Sequence, residues 1–324
     1  MISAPPRRPT LHEIAAAGDR LATWLPRTPL LQVDLGRADQ RIFLKLETLS
    51  PIGAFKVRPA LNALLSRDAE TLRHGVATVS SGNMAYGMAW AARALGIPMA
   101  AYMYADAPRT KIDGVRRLGG EVRFVSHETW WRYITGVEQP DIDELLVNPV
   151  TDQAVLAGNG TIGVEIVEDL PEVDCVLTPY GGGGMTTGVA SAIKALRPHA
   201  RIFAVEDENA APVTAALAAG RIVEIKTRPS FIKSIGGPSL VPALWPLANQ
   251  LIDGAIAVSL EQVTEAMRLL FSSAKVVAEG AGAASVAAAL RSEQMTGNIV
   301  CVISGGNIDA GAYAQVLAGA IPAA

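Results

Sequence analysis

The sequence predicts an α/β protein built on mostly parallel sheets, and three observations carry that prediction. Strand-like and helix-like segments alternate along most of the chain, the pattern left when helices cover parallel sheets. Glycine-rich turns stand between an apolar strand-like run and a helix-like run, as in PYGGGGMTTGVA at 179–190. Half of the 324 residues are hydrophobic and only 18% are charged, which suffices for one large core or two domains and argues against disorder.

Each element follows from its local pattern. Met1–Thr10 holds two arginines and three prolines without an apolar run, so it reads as a flexible leader rather than a secretory signal. RIFLKLE (41–47) reads as a strand and ALNALLSRDA (60–69) as a helix. GVATVS (75–80), MAYGMAWAARAL (84–95) and PMAAYMY (98–104) then give strand, helix and strand. The pattern resumes after residue 150 with VDCVLTPY (173–180), TTGVASAIKAL (186–196) and RIFAVE (201–206), and closes with GNIVCVISGGNID (297–309). Between these stretches, 127–149 carries WWRY, two prolines and several acids, and a domain crossover is placed there. Periodicity leaves open whether two domains are consecutive or interleaved.

Composition excludes several classes of function. The net charge of −3 is scattered, so no basic stripe is present to neutralise nucleic acid or an acidic membrane surface. The two longest uncharged stretches, 175–193 and 234–252, contain four consecutive glycines and three prolines respectively, unlike a membrane span. Cys175 and Cys301 sit in apolar strand-like runs, where buried free thiols and a reducing, cytoplasmic setting are expected. Four dispersed histidines, with no H-E-x-x-H, C-x-x-C or G-x-S-x-G, leave zinc and serine-hydrolase chemistry without support. Trp130, Trp131 and Tyr133 read either as a pocket wall or as a core or oligomer patch.

Two turns are suited to anions. Gly181, Gly182, Gly183 and Gly184 connect a strand to a helix, so that backbone N–H groups and the positive helix end can hold a phosphate. The run matches neither G-x-G-x-x-G nor the P-loop pattern, and a bare turn is the alternative. Ser80, Ser81, Gly82 and Asn83 form the second turn, either an ordinary capped helix start or a carboxylate site. A phosphate site beside a carboxylate site suggests a phosphorylated cofactor and an amino-acid or organic-acid substrate. Pyridoxal 5'-phosphate would need a lysine, and Lys56, between Phe55 and Val57, has the apolar surroundings that favour a neutral amine. Lys45, Lys111, Lys194, Lys226, Lys233 and Lys275 compete with it.

The segment LKLETLSPIGAFKVRPALNAL (44–64) resembles the lysine motif of the fold type II, tryptophan synthase β-like, pyridoxal phosphate enzymes. SSGNMAYGMAWAARALGI, AGNGTIGVEI, PYGGGGMTTGVA and ISGGNID resemble later motifs of the threonine/serine dehydratase and serine racemase group, in family order. The resemblance implies two domains, each with a mostly parallel twisted sheet flanked by helices: a large one from 1–77 and 148–324, and a small one from 78–147. It implies that Lys56 carries the cofactor as a Schiff base and Phe55 flanks the ring. Asn83 would meet the 3′ oxygen, Gly181–Gly184 the phosphate, and Ser304 the ring nitrogen, with Glu279 near the cofactor. Ser80, Ser81 and Gly82 would receive the substrate carboxylate, and Ser81 would matter for racemisation. The implied activity is a lyase that turns threonine, serine or an apolar or aryl analogue such as phenylserine into a 2-oxo acid and ammonia, in a cytoplasmic homodimer. Racemisation, β-replacement, or ligand binding without turnover are the alternatives.

Three departures from the family pattern matter. Ala54 and Pro59 stand where the family has serine and glycine around the lysine. Met84 stands where a histidine is usual, which points to a less polar β-substituent than that of hydroxyaspartate, packing under the turn being the alternative. The resemblance also aligns Glu206 and Ala210 with a cation site, but Pro212 replaces the expected acid, and no metal is expected.

Overall fold

The computed structural model describes residues 5–36, 40–107, 109–291 and 295–323. Helix α1 (Leu11–Ala22) starts at a capping box between Thr10 and Glu13. Strands β1 (Leu30–Val33) and β2 (Gln40–Leu46) and helix α2 (Val57–Leu65) follow. Next come β3 (Val76–Val79), α3 (Asn83–Leu95), β4 (Met99–Tyr104), α4 (Arg109–Arg117), β5 (Glu121–Val125), α5 (His127–Thr135) and β6 (Leu145–Val147). The chain continues through α6 (Gln153–Asp169), β7 (Cys175–Pro179), α7 (Gly184–Leu196), β8 (Arg201–Asp207), α8 (Pro212–Ala219), α9 (Trp245–Leu251) and β9 (Gly254–Val258). It closes with α10 (Leu260–Leu269), α11 (Gly280–Arg291), β10 (Gly297–Ile303) and α12 (Ala310–Leu317).

The strands form two sheets, ordered β1-β2-β10-β7-β8-β9 and β5-β4-β3-β6. All pairs are parallel except β1 with β2. Parallel strands must be covered on both faces, and β3 and β7 are buried at every residue. One face of the large sheet packs with α10 and α11 through Val263, Met267 and Val286, the other with α6 and α7 through Ile162, Val189 and Ile193. In the small sheet, Met88 and Ala92 of α3 and Val115 of α4 fill one side, while Ile134 of α5 joins the other.

Several local expectations change. Residues 5–10 are docked rather than a loose leader: Thr10 caps α1, Arg7 pairs with Glu13, and the Arg8 guanidinium donates to the Ser191 carbonyl at 3.0 Å. The helix read at 60–69 runs instead over Val57–Leu65, because Pro59 is tolerated in a first turn and therefore does not delay the start. Thr78 lies inside β3, and Leu61 and Leu64 of α2 share a core cluster with Met88 of α3 and Val115 of α4. Residues 127–149 supply α5 and β6. Among the described residues, no helix is long and apolar enough to cross a membrane.

Strand order places the functional region. In the large sheet the chain runs outward from β7 through β8 to β9 and then returns to β10 on the other side of β7. In the small sheet it runs outward from β3 and returns to β6 on the other side. Ligands of open parallel sheets bind at such reversals, beyond the carboxyl ends of the strands. The turns after β7 and β10, and those after β3 and β6, line a single cavity.

Candidate active site

The cavity has a volume of about 420 Å³, within the range of small-molecule sites. Phe55, Lys56, Ser80, Ser81, Gly82, Asn83, Met84, Gly181, Gly182, Gly183, Gly184, Glu279 and Ser304 all line it. These are the residues singled out from sequence, brought together from five separate segments.

Three helices begin at this cavity without side-chain caps. Their N-cap residues are Lys56 for α2, Gly82 for α3 and Gly183 for α7, and none makes a side-chain capping bond. Elsewhere α1, α5, α6 and α10 are capped by Thr10, Ser126, Asp152 and Ser259, while the N-cap residues of α8, α9 and α12 make no side-chain capping bond. Three open helix ends therefore direct their positive ends at one space, a setting for anionic groups. The ordinary capping alternative for the second turn does not hold. The Ser80 hydroxyl accepts from Gly82 N–H at 3.2 Å and the Ser81 hydroxyl accepts from Tyr104 N–H at 3.1 Å, so both serines shape the turn instead of closing the helix.

The glycine run is enforced by packing as well as by conformation. A Cβ on Gly181 would lie 2.8 Å from the Ser234 carbonyl oxygen, and one on Gly182 would lie 2.6 Å from Val150 Cγ2. Gly183 has φ +93°, where an L side chain is strained, and a Cβ there would also strike the Tyr180 hydroxyl. Gly181→Ala is expected to push the turn off the Ser234 backbone and weaken retention of a phosphate-bearing cofactor at least about tenfold, one lost hydrogen bond to a charged group being sufficient. Titration of the apo protein with pyridoxal phosphate checks this; unchanged affinity would show that the turn does not hold the ligand.

Lys56 sits at the start of α2, its Nζ 4.8 Å from the centroid of the Phe55 ring. Burial disfavours the ammonium and pushes the amine down to about 8 from its ordinary 10.5. Of the competing lysines, Lys45 pairs with Glu165, Lys194 with Asp253 and Lys111 with Glu279. Lys233 also lines the cavity, but it is exposed at the mouth.

Asn83 is held in one orientation. Its Nδ2 donates to Glu279 Oε1 at 2.6 Å, and its Oδ1 accepts from Asn307 Nδ2 at 2.9 Å. The second oxygen of Glu279 faces Lys111 Nζ and Ser234 Oγ, each at 3.3 Å. The Ser304 carbonyl accepts from Phe55 N–H at 2.9 Å, which ties the end of β10 to the lysine segment. Sequence reading treated Lys111 only as a rival nucleophile and missed Ser234 and Asn307; the single available signal was Asn307 within ISGGNID.

Other sequence candidates separate clearly. Met84 touches the cavity but is only 1% exposed and belongs to the α2–α3 core. Trp130, Trp131 and His127 line the cavity, whereas Tyr133 packs edge-on against Tyr102. His127, set aside as an isolated histidine, stacks on Tyr104 with centroids 4.0 Å apart. Glu206 uses both oxygens to accept from Val213 N–H, Thr214 N–H and the Thr214 hydroxyl, so it closes the start of α8. Among the described residues there is no cluster of three His, Cys, Asp or Glu that could hold a metal. Both cysteines are buried and free, and burial pushes their thiols up, Cys175 to about 12.

Comparison with known proteins agrees with this geometry. The chain is 37% identical over 304 residues to the L-threonine ammonia-lyase of Thermotoga maritima, covering 93% of this chain and 76% of that one. It is 34% identical over 320 residues to the catabolic L-threonine dehydratase of Escherichia coli, covering 94% of this chain and 95% of that one. The structure of maize serine racemase superposes with a TM-score of 0.86 at 30% identity, covering 97% of this chain and 99% of that one. The model of the pyridoxal-phosphate dependent enzymes matches residues 22–305, and with the lysine, the glycine turn and the two sheet reversals meeting at one cavity, the chain belongs to that family.

Proposed function

We propose that this protein is a pyridoxal phosphate-dependent dehydratase that converts a β-hydroxy-α-amino acid of the threonine or serine type into a 2-oxo acid and ammonia. The observation that carries this reading is the desolvated Lys56 amine in a cavity where three uncapped helix starts converge. The donor set suits the cofactor: a glycine turn with no room for side chains accommodates a phosphate, and the flat Phe55 ring beside the lysine suits an aromatic ring. Bound pyridoxal phosphate supplies an electrophilic carbon and an electron sink.

The protein's own groups do the rest. The backbone N–H groups of Gly181–Gly184 hold the phosphate at the positive end of α7. Asn83, locked by Glu279 and Asn307, keeps one N–H of its amide for the ring oxygen. Ser304 offers the ring nitrogen a neutral hydroxyl, which does not enforce protonation as a carboxylate would and so favours elimination over long-lived carbanions. The start of α3 and the Ser80–Gly82 turn receive the substrate carboxylate. Lys56, neutral in appreciable fraction near pH 8, takes the α-proton.

Racemisation is a second reading, favoured by Ser81, whose hydroxyl accepts from Tyr104 N–H and retains its own proton to donate. Incubating holoenzyme with L-threonine and L-serine and assaying 2-oxo acid, ammonia and amino-acid chirality tests both. Formation of 2-oxo acid is expected; inversion without it would establish the racemase, and neither product would overturn the enzyme reading. A cytoplasmic homodimer belongs to the proposal, supported by the free thiols and by the exposed side chains of Leu49 and Val277. Val277 and Thr48, the chain neighbour of Leu49, both meet the position of a Cβ added at Gly306; light scattering checks the dimer.

A further inference from the structure

The cavity has a second compartment that the dehydratase reading leaves unassigned. Lys56, Ser304 and the glycine turn belong to the large sheet, and Ser80–Asn83 to the turn after β3. Much of the remaining wall comes from Tyr104, His127, Trp130, Trp131 and Ile134 of β4 and α5, together with the 233–241 segment. These rings form a connected set. Tyr104 stacks on His127 at 4.0 Å and meets Trp130 edge-on at 5.5 Å, and Trp130 lies 6.5 Å from Trp131. Trp131 reaches across to the large-sheet side, its Cη2 standing 3.6 Å from the position a Cβ on Gly237 would take. Indole surface therefore closes the space next to the carboxylate turn.

Charge at this wall is balanced. His127 Nε2 is 2.8 Å from Asp106 Oδ1, and Lys233, the cation at the mouth, lies close enough to Asp106 to stabilise its carboxylate. Among the described residues no arginine lines the cavity, and the charge of Lys233 is shared with Asp106, so an anionic side chain would enter without a bidentate partner. Flat aromatic walls instead favour an aromatic ring by stacking and edge-to-face contact.

We propose that this compartment selects β-hydroxy-α-amino acids with a neutral aryl β-substituent, of which phenylserine is the simplest. The inference rests on the dehydratase reading for its chemistry. The α-proton and the β-hydroxyl leave together as water, the enamine regains water, and ammonia departs, so phenylserine yields phenylpyruvate and ammonia with no oxidant or reductant.

The test uses holoenzyme in two measurements. In the first, kcat/KM for phenylserine is expected to exceed that for threonine by at least about tenfold, the discrimination that apolar pockets achieve, and to exceed that for hydroxyaspartate further. Trp131→Leu is expected to shrink the phenylserine-to-threonine ratio at least about fivefold, while Trp131→Phe, which keeps an aromatic face, retains most of it. In the second, calorimetry compares the unreactive ligands L-phenylalanine and L-alanine, with phenylalanine expected to bind at least about tenfold more tightly. Threonine or hydroxyaspartate outpacing phenylserine, or alanine binding as well as phenylalanine, would overturn the inference. If no hydroxy amino acid yields a 2-oxo acid, the dehydratase reading fails, and calorimetry still decides whether the compartment takes an aryl group.

Discussion

Lys56→Ala is expected to lower turnover by at least ~10²–10⁴-fold, the contribution of a single positioned proton-transfer group, and to abolish covalent trapping of pyridoxal phosphate by borohydride. In the unaltered apo protein, trapping read by mass at the Lys56 peptide is expected to rise with pH, half-complete near pH 8. The sign follows from the nucleophile: the neutral amine attacks, and burial moves its protonation down to about 8 from 10.5. Below pH 8 the ammonium dominates and trapping slows; above it the rate levels off. A half-point at the ordinary lysine value, or a label on Lys233, would show that Lys56 is not the reactive amine.

Arg58→Met is expected to cost about 3–5 kcal/mol of stability, the loss typical of breaking one side of a buried ion pair. Arg58 is 4% exposed and Glu47 fully buried. The guanidinium donates from Nε to Glu47 Oε2 at 2.8 Å and from Nη2 to Glu47 Oε1 at 3.0 Å, and it also reaches Glu165 Oε1 at 2.7 Å. Without it, Glu47 keeps only the Thr28 hydroxyl at 2.6 Å as a side-chain partner, whereas Glu165 retains Lys45. Arg58→Lys is expected to lose less stability, but not to restore it, because an ammonium cannot span both carboxylates. Urea denaturation measures the change, and a loss below about 1 kcal/mol would mean that the network stabilises the fold no more than an exposed pair does. Arg58 lies two residues beyond Lys56 in the first turn of α2, so the same variant is expected to lower kcat as the lysine loses its fixed position.

The candidate site was legible where it depends on contiguous residues. A run of four glycines between strand and helix, and a lysine flanked by alanine, phenylalanine and valine, announce themselves because spacing along the chain sets the local backbone and local polarity. The alternation of strand and helix likewise implied parallel sheets, since only covered sheets tolerate uninterrupted apolar strands. Serine beside asparagine at a helix start was ambiguous, because capping and ligand binding draw on the same residue types.

Tertiary structure decided which helix starts are left open and what they face. Gly82, rather than either serine or Asn83, occupies the N-cap of α3, and the reversals of strand order set its open end opposite those of α2 and α7. The Lys111–Glu279–Asn83–Asn307 network joins residues up to 224 positions apart, and the aromatic wall unites Tyr104 with α5; neither leaves a periodic trace in sequence. Neighbours along the chain determined the candidate lysine and phosphate turn, because those are local properties of backbone and side chain. The hydrogen-bond network and the shape of the aromatic wall arise only when distant segments are brought into contact, since hydrogen bonding and ring packing act through space.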